Sequence, residues 1–233
     1  PWYYMCDEEG IYLMSETNLE SHGSFQKLGA IEPSCNVPGS IPQWKEAVID
    51  RARNNFETFK NHTSVLFWSL GNESYAGDNI EAMNQYFKDK KDGRLVHYES
   101  SYYNRAYEDT ISDIESRMYA KTADVEEYLI NSAKKPYILC EFMHDMGNSM
   151  GGLGSYMELI DKYEMYQGGF IWDFIDQAIL VKDEVTGKEV LRYGGDFDDR
   201  PADYEFSGNG ILFADRKEKP AMQEVRYYYG LYI

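Results

Sequence analysis

Tyr137-Ile138-Leu139-Cys140-Glu141-Phe142-Met143-His144-Asp145-Met146-Gly147-Asn148-Ser149 reads as a strand that ends on a carboxylate. The apolar run after Lys135-Pro136 suits a strand covered on both faces; Glu141 arrives at its C-terminal end and Gly147 breaks regular structure just beyond. A charged side chain there is either an ion-pair partner in the core or a reactive group at a strand mouth, and the stretch alone favours the first. The pattern then occurs again. Val65-Leu66-Phe67-Trp68-Ser69-Leu70-Gly71-Asn72-Glu73-Ser74 is a second apolar strand ending on a glutamate, followed by the glycine-containing segment Tyr75-Ala76-Gly77-Asp78.

Outward from these two stretches, apolar strand-like runs alternate with amphipathic helical ones, the pattern of a parallel α/β architecture. Six strands are expected, at Gly10–Ser15, Ser64–Leu70, Leu95–Ser100, Ser112–Tyr119, Tyr137–Cys140 and Gly169–Phe174. Helices are expected over Ile41–Lys60, Gly77–Lys90, Ala123–Ala133 and Gly154–Tyr163, with Pro42 near the start of the first. The N-terminal residues Trp2, Tyr3, Met5 and Cys6 look like the tail of a helix, Lys182–Lys188 like a charged turn around Thr186-Gly187, and Glu189–Tyr193 and Gly210–Phe213 like strand pieces. A barrel of parallel strands would carry both glutamate-bearing ends to one face. Two such carboxyls suit glycoside hydrolysis, which needs one protonated to assist the leaving oxygen and one ionised to attack the anomeric carbon or activate water.

A chain of 233 residues with 43% hydrophobic content supports one large core, so a single domain, or most of one, is expected. A net charge of -17 opposes binding to nucleic acid or an anionic membrane and favours a neutral or cationic ligand. The 21 tyrosines and 4 tryptophans supply aromatic faces of the kind that meet sugar C–H patches. Cys6, Cys35 and Cys140 are too widely spaced for a disulfide framework or a zinc site and read as free thiols. No apolar run approaches the roughly 20 residues of a membrane span, and the start Pro1-Trp2-Tyr3-Tyr4 is no signal peptide. A cytoplasmic location is the expectation, with any signal peptide lying outside this segment.

Three motifs resemble the large multidomain β-galactosidases of glycoside hydrolase family 2. They are Trp68 to Ser74, Glu141 to Ser149, and Gln167-Gly168-Gly169-Phe170-Ile171-Trp172-Asp173-Phe174-Ile175-Asp176-Gln177. The likeness runs from Asp7 to Met222 with the motifs in matched order. It implies a TIM (β/α)8 barrel of which residues 1–233 supply about six strands, the third to the eighth, without the first two strands and the flanking β-sandwich domains. It further implies a retaining hydrolase that removes terminal non-reducing β-D-galactose through a covalent glycosyl-enzyme intermediate. Another β-glycosidase of the family, such as a β-glucuronidase, or an inactive carbohydrate-binding fragment are the alternatives.

Residue by residue, the resemblance implies Glu73 as protonated acid/base and Glu141 as ionised nucleophile, with carboxyls about 5–5.5 Å apart as retaining chemistry needs. Tyr119, after Met118, would lie against the nucleophile. Asn72 would bind the 2-hydroxyl, His144 the galactose hydroxyls, and Trp172 would floor the pocket. Glu20, His22 and Glu73 would hold magnesium, although an imidazole is unusual for that ion. Phe206, through its carbonyl, and Asn209 would hold sodium or potassium. On their own residues, Glu20-Ser21-His22 reads as a surface pair and Phe206-Ser207-Gly208-Asn209 as a loop turn. The implied partners are a lactose-like β-galactoside, the rest of the parent chain or a complementing subunit, and copies of itself in a homo-oligomer. A six-stranded open barrel would expose two strand edges, so the chain alone is expected to be inactive and not a stable monomer.

Overall fold

Strands and helices alternate along the chain as the apolar spacing implies. The computed structural model describes residues 1–22, 36–131, 133–147 and 149–232, so the expected thiol Cys35 lies outside the described residues. It divides into two compact units, the first made of Pro1–Arg117 with Lys134–Ile138 and the second of Met118–Ala133 with Leu139–Ile233.

The first unit opens with α1 (Trp2–Glu9), which stops where Gly10 turns left-handed at φ 73°. Ile11 N then bonds back to Cys6 O at 2.9 Å, so β1 spans only Leu13–Glu16 rather than the expected Gly10–Ser15. Pro42–Trp44 forms one tight turn, and α2 (Lys45–Phe59) therefore begins four residues later than the apolar spacing suggests. β2 (Val65–Ser69), α3 (Asp78–Lys90), β3 (Leu95–His97) and β4 (Glu115–Met118) follow, β4 reaching one residue past the unit's edge at Arg117. β1, β2 and β3 are parallel neighbours in that order, with Ser15 opposite Trp68 and Trp68 opposite Val96. The expected Leu95–Ser100 strand is cut short because Ser100–Tyr103 coils into a 3-10 turn. The expected Ser112–Tyr119 strand starts late because Ser112 sits at φ 69°.

Val48, Ala52 and Phe56 recur every fourth residue on α2, and Ile80, Met83 and Phe87 share one face of α3, so both helices bury a stripe against the sheet. Trp68 is buried between them, stacked 5.4 Å from Phe87, and its one donor reaches Asp92 Oδ2 at 3.0 Å. Side chains this large stabilise by about 1.5–3 kcal/mol each when fully buried. At the end of β3, His97 is enclosed, with Nδ1 3.0 Å from Ser69 Oγ and Nε2 2.8 Å from Ser116 Oγ.

The second unit holds α4 (Thr122–Asn131), most of β5 (Tyr137–Phe142), α5 (Leu153–Lys162) and β6 (Tyr166–Ile171), which neighbours β5. β6 lies three residues earlier than the expected Gly169–Phe174, because the chain leaves the sheet at Trp172. β7 (Ile179–Lys182) and β8 (Glu189–Arg192) make an antiparallel hairpin around the expected charged turn. The expected strand piece at Gly210–Phe213 is reduced to isolated bridges from Leu212 to Ile175 and Glu218. α6 (Met222–Tyr229) is a helix that the apolar spacing does not suggest, since Val225 is its only buried residue. Its Glu224 caps α5, the carboxylate accepting from Leu153 N at 2.8 Å. Among the described residues no helix is long and apolar enough to cross a membrane. Cys6 and Cys140 are thiols, as expected.

Candidate active site

In the first unit the segment after β2 is shaped by Gly71. It adopts φ 145°, and a Cβ there would stand 2.6 Å from Leu19 O, so only glycine lets the two backbones meet. Asn72 N then donates to Leu19 O at 2.9 Å and Asn72 bridges to Glu20, which brings the Glu20–His22 loop beside Glu73. Ser21 Oγ ties the same loops together through Ser74 Oγ at 3.0 Å and through Val37 O.

His22 Nδ1 contacts Glu73 Oε2 and lies 3.8 Å from Glu20 Oε1. Their three donor atoms fall within 4.8 Å of one another. Two carboxylate oxygens and an imidazole nitrogen converging this tightly fit a single divalent cation, with oxygen the donor that magnesium prefers. Glu73 has φ 42°, and its backbone N–H donates to Glu99 Oε1 at 2.7 Å. Its side chain is 15% exposed against 54% for Glu20, so of the two Glu73 is the carboxyl drawn inward.

In the second unit Met118 ends β4, and Tyr119 follows at φ 51° with its N–H on Glu141 O at 2.8 Å. The phenol turns onto the same residue and donates to Glu141 Oε2 at 2.7 Å. Partial burial, then the Glu141 carboxylate, hold that phenol above its usual pKa, so it remains a donor at neutral pH. Beyond the end of β5, the His144 ring lies 5.9 Å from that of Tyr119 and 5.3 Å edge-on to Phe206. His144 Nε2 is 2.7 Å from Asn209 Oδ1, an acceptor, which places the proton on Nε2. Asn209 Nδ2 in turn donates to Phe206 O. Each of the oxygens expected to hold a monovalent cation therefore accepts one protein hydrogen bond and keeps one lone pair.

Trp172 continues from β6, its N–H on Phe142 O at 3.1 Å and its carbonyl accepting from Asp145 N at 2.9 Å. Its indole Nε1 is buried and has no hydrogen-bond partner among the described residues. Asp145 is 2% exposed, and burial pushes its carboxyl up to about 6.

The expected residues thus gather in two groups, Glu20, His22 and Glu73 in one unit and Tyr119, Glu141, His144, Phe206 and Asn209 in the other. Sequence reasoning missed Glu99, which accepts from the Glu73 backbone, and Asp145, which donates its N–H to Trp172 O. Glu99 carried a usable signal, since it closes the run Leu95-Val96-His97-Tyr98 as Glu73 and Glu141 close theirs.

Residues 1–232 match the family described as glycosyl hydrolases family 2, TIM barrel domain. The chain belongs to this family. Among family 2 relatives it is 70% identical over 232 residues to the beta-galactosidase large subunit of Lactobacillus helveticus, covering 100% of this chain and 37% of that protein. It is 62% identical to the beta-galactosidase of Clostridium acetobutylicum, covering 98% of this chain and 25% of that one. The chain therefore spans 37% or less of the length of these two relatives. Solved structures of similar fold include a beta-glucuronidase from an uncultured Clostridium sp., at 15% identity and TM-score 0.59 over 98% of this chain and 42% of that one. The GH2 beta-galacturonidase of Eisenbergiella tayi is alike at 16% identity and TM-score 0.59, over 99% of this chain and 42% of its own. At such identity these two speak for the fold alone, which is the family 2 barrel.

Proposed function

We propose that this chain supplies the catalytic barrel of a retaining β-galactosidase that cleaves terminal non-reducing β-D-galactose. The observation that carries the reading is the Tyr119–Glu141 contact with His144 and Asn209 beside it, in a chain 70% identical to a protein named beta-galactosidase large subunit. Glu141 attacks the anomeric carbon while Glu73 protonates the departing oxygen, and Glu73 then takes a proton from the water that releases galactose. Asn72 meets the 2-hydroxyl, where a hydrogen bond strengthens as positive charge develops on the ring. His144 and Asn209 meet other hydroxyls, Trp172 floors the pocket and Met118 lines it.

Glu20, His22 and Glu73 would hold magnesium, which would supply fixed positive charge beside the acid/base carboxyl. Phe206 O and Asn209 would use their remaining lone pairs on sodium or potassium. A uronic acid substrate would call for basic groups, and Tyr137–Ser149 and Gln167–Gln177 contain neither lysine nor arginine, which favours galactose over glucuronate. The relatives' name, large subunit, supports a complementing polypeptide as partner. Exposure of the whole protein to a 2-deoxy-2-fluoro-galactoside, followed by peptide mass spectrometry, tests the assignment. The adduct is expected on Glu141, and a label on any other residue overturns it.

A further inference from the structure

We propose that Lys219 and Asp176 are positioning residues that fix Asn209 against His144 and so set the affinity for the sugar. The proposal rests on the reading above, in which His144 and Asn209 meet the substrate. Lys219 is only 7% exposed, and Nζ lies 2.8 Å from Asp176 Oδ1. The same ammonium donates to Gly208 O at 3.3 Å, and the same carboxylate oxygen accepts from Gly210 N at 2.9 Å. One ion pair therefore holds the residue on each side of Asn209.

The backbone leaves the segment little freedom otherwise. Asp173 N donates to Asn209 O at 2.8 Å, Ile211 N to Asp173 O at 3.1 Å and Gln177 N to Ser207 O at 2.8 Å. A Cβ on Gly210 would stand 2.3 Å from Asp176 N, so the two segments touch backbone to backbone. Asn209 is 3% exposed, with its Oδ1 on His144 and its Nδ2 on Phe206 O. The path runs from the ion pair to Asn209 and from Asn209 to His144. A buried ion pair is a poor source of net stability, and a rigid register for the side chain it brackets is the return the geometry points to.

The test is a double-mutant cycle on the whole protein. Lys219→Met is expected to raise KM for an aryl galactoside about tenfold with little change in kcat, since a misplaced hydroxyl contact is lost in substrate binding. Asn209→Ala should cost a similar factor, and the double variant no more than about twofold beyond Asn209→Ala, because both act along one path. Lys219→Met leaves Asp176 buried without its cation and can fail to fold, so the cycle is repeated with Lys219→Met/Asp176→Leu, which removes both charges. Losses that multiply, or an unchanged KM in both backgrounds, overturn the proposal. If the unmodified protein prefers another β-glycoside, the galactoside reading falls, and the cycle is read with the glycoside it does turn over.

Discussion

Tyr119 holds Glu141 at both ends, its phenol donating to Oε2 at 2.7 Å and its backbone N–H donating to the carbonyl at 2.8 Å. The residue that steers the carboxylate is thus tied to the backbone that carries it. Removing the phenol oxygen alone should therefore change the carboxylate's setting without moving its strand.

Tyr119→Phe is expected to lower kcat by roughly ten- to a hundredfold, the value of a hydrogen bond to a charged group at about 1.5–3 kcal/mol. Inactivation by the fluoro-galactoside should slow by a similar factor. An unchanged inactivation rate would show that the phenol does not assist formation of the galactosyl ester.

Glu73→Gln is expected to suppress galactosides with poor leaving groups far more than activated aryl galactosides, which need little protonation to depart. Azide should restore part of the turnover by attacking the intermediate without a general base. Equal losses across leaving groups, with no azide effect, would remove Glu73 from the acid/base role.

His22→Ala is expected to weaken magnesium binding by about tenfold or more, as loss of one of three protein donors should, and chelation should lower activity of the unmodified protein. The readout is magnesium affinity by calorimetry on the apo protein, alongside activity against metal concentration. Identical affinities would place the ion elsewhere.

Acid stability should depend on His97. Burial holds its imidazole down at about 4 against the ordinary 6.5, so as pH falls below 6.5 the unfolded chain takes up a proton that the folded protein refuses. The contribution of the neutral ring is complete above 6.5 and is lost as pH falls to about 4, amounting to roughly 3 kcal/mol at full extent. His97→Gln should flatten the fall in unfolding free energy across that window, measured by urea titration at several pH values. An unchanged slope would assign the acid lability to other groups.

The alternation of strands and helices was legible because burial imposes periods that survive in sequence, period 2 or a continuous apolar run for strands and 3.6 for α2 and α3. Boundaries such as Leu13 and Lys45 were not, because they are set by a left-handed Gly10 and a turn at Pro42 that apolar spacing does not encode. Glu73 and Glu141 stood out as acids closing apolar runs. Tyr119 is one of 21 tyrosines, and only its likeness to a family motif selected it. Lys219 and Asp176 are 43 residues apart and neither lies in a periodic pattern, so their pairing could be read only from the fold.

The β7–β8 hairpin has a practical use. Asp183 Oδ1 accepts from both Thr186 N and Thr186 Oγ1 at 2.7 Å, and its other oxygen takes Arg192 at 2.7 Å, so the turn is held by its own base. Val185 at its tip is 93% exposed. Exposed loop tips of this kind tolerate insertions. A short affinity or immobilisation tag spliced beside Val185 would anchor the protein to a support through a self-contained turn that is separate in sequence from Val65–Ser74 and Tyr137–Ser149, the stretches that carry Glu73 and Glu141.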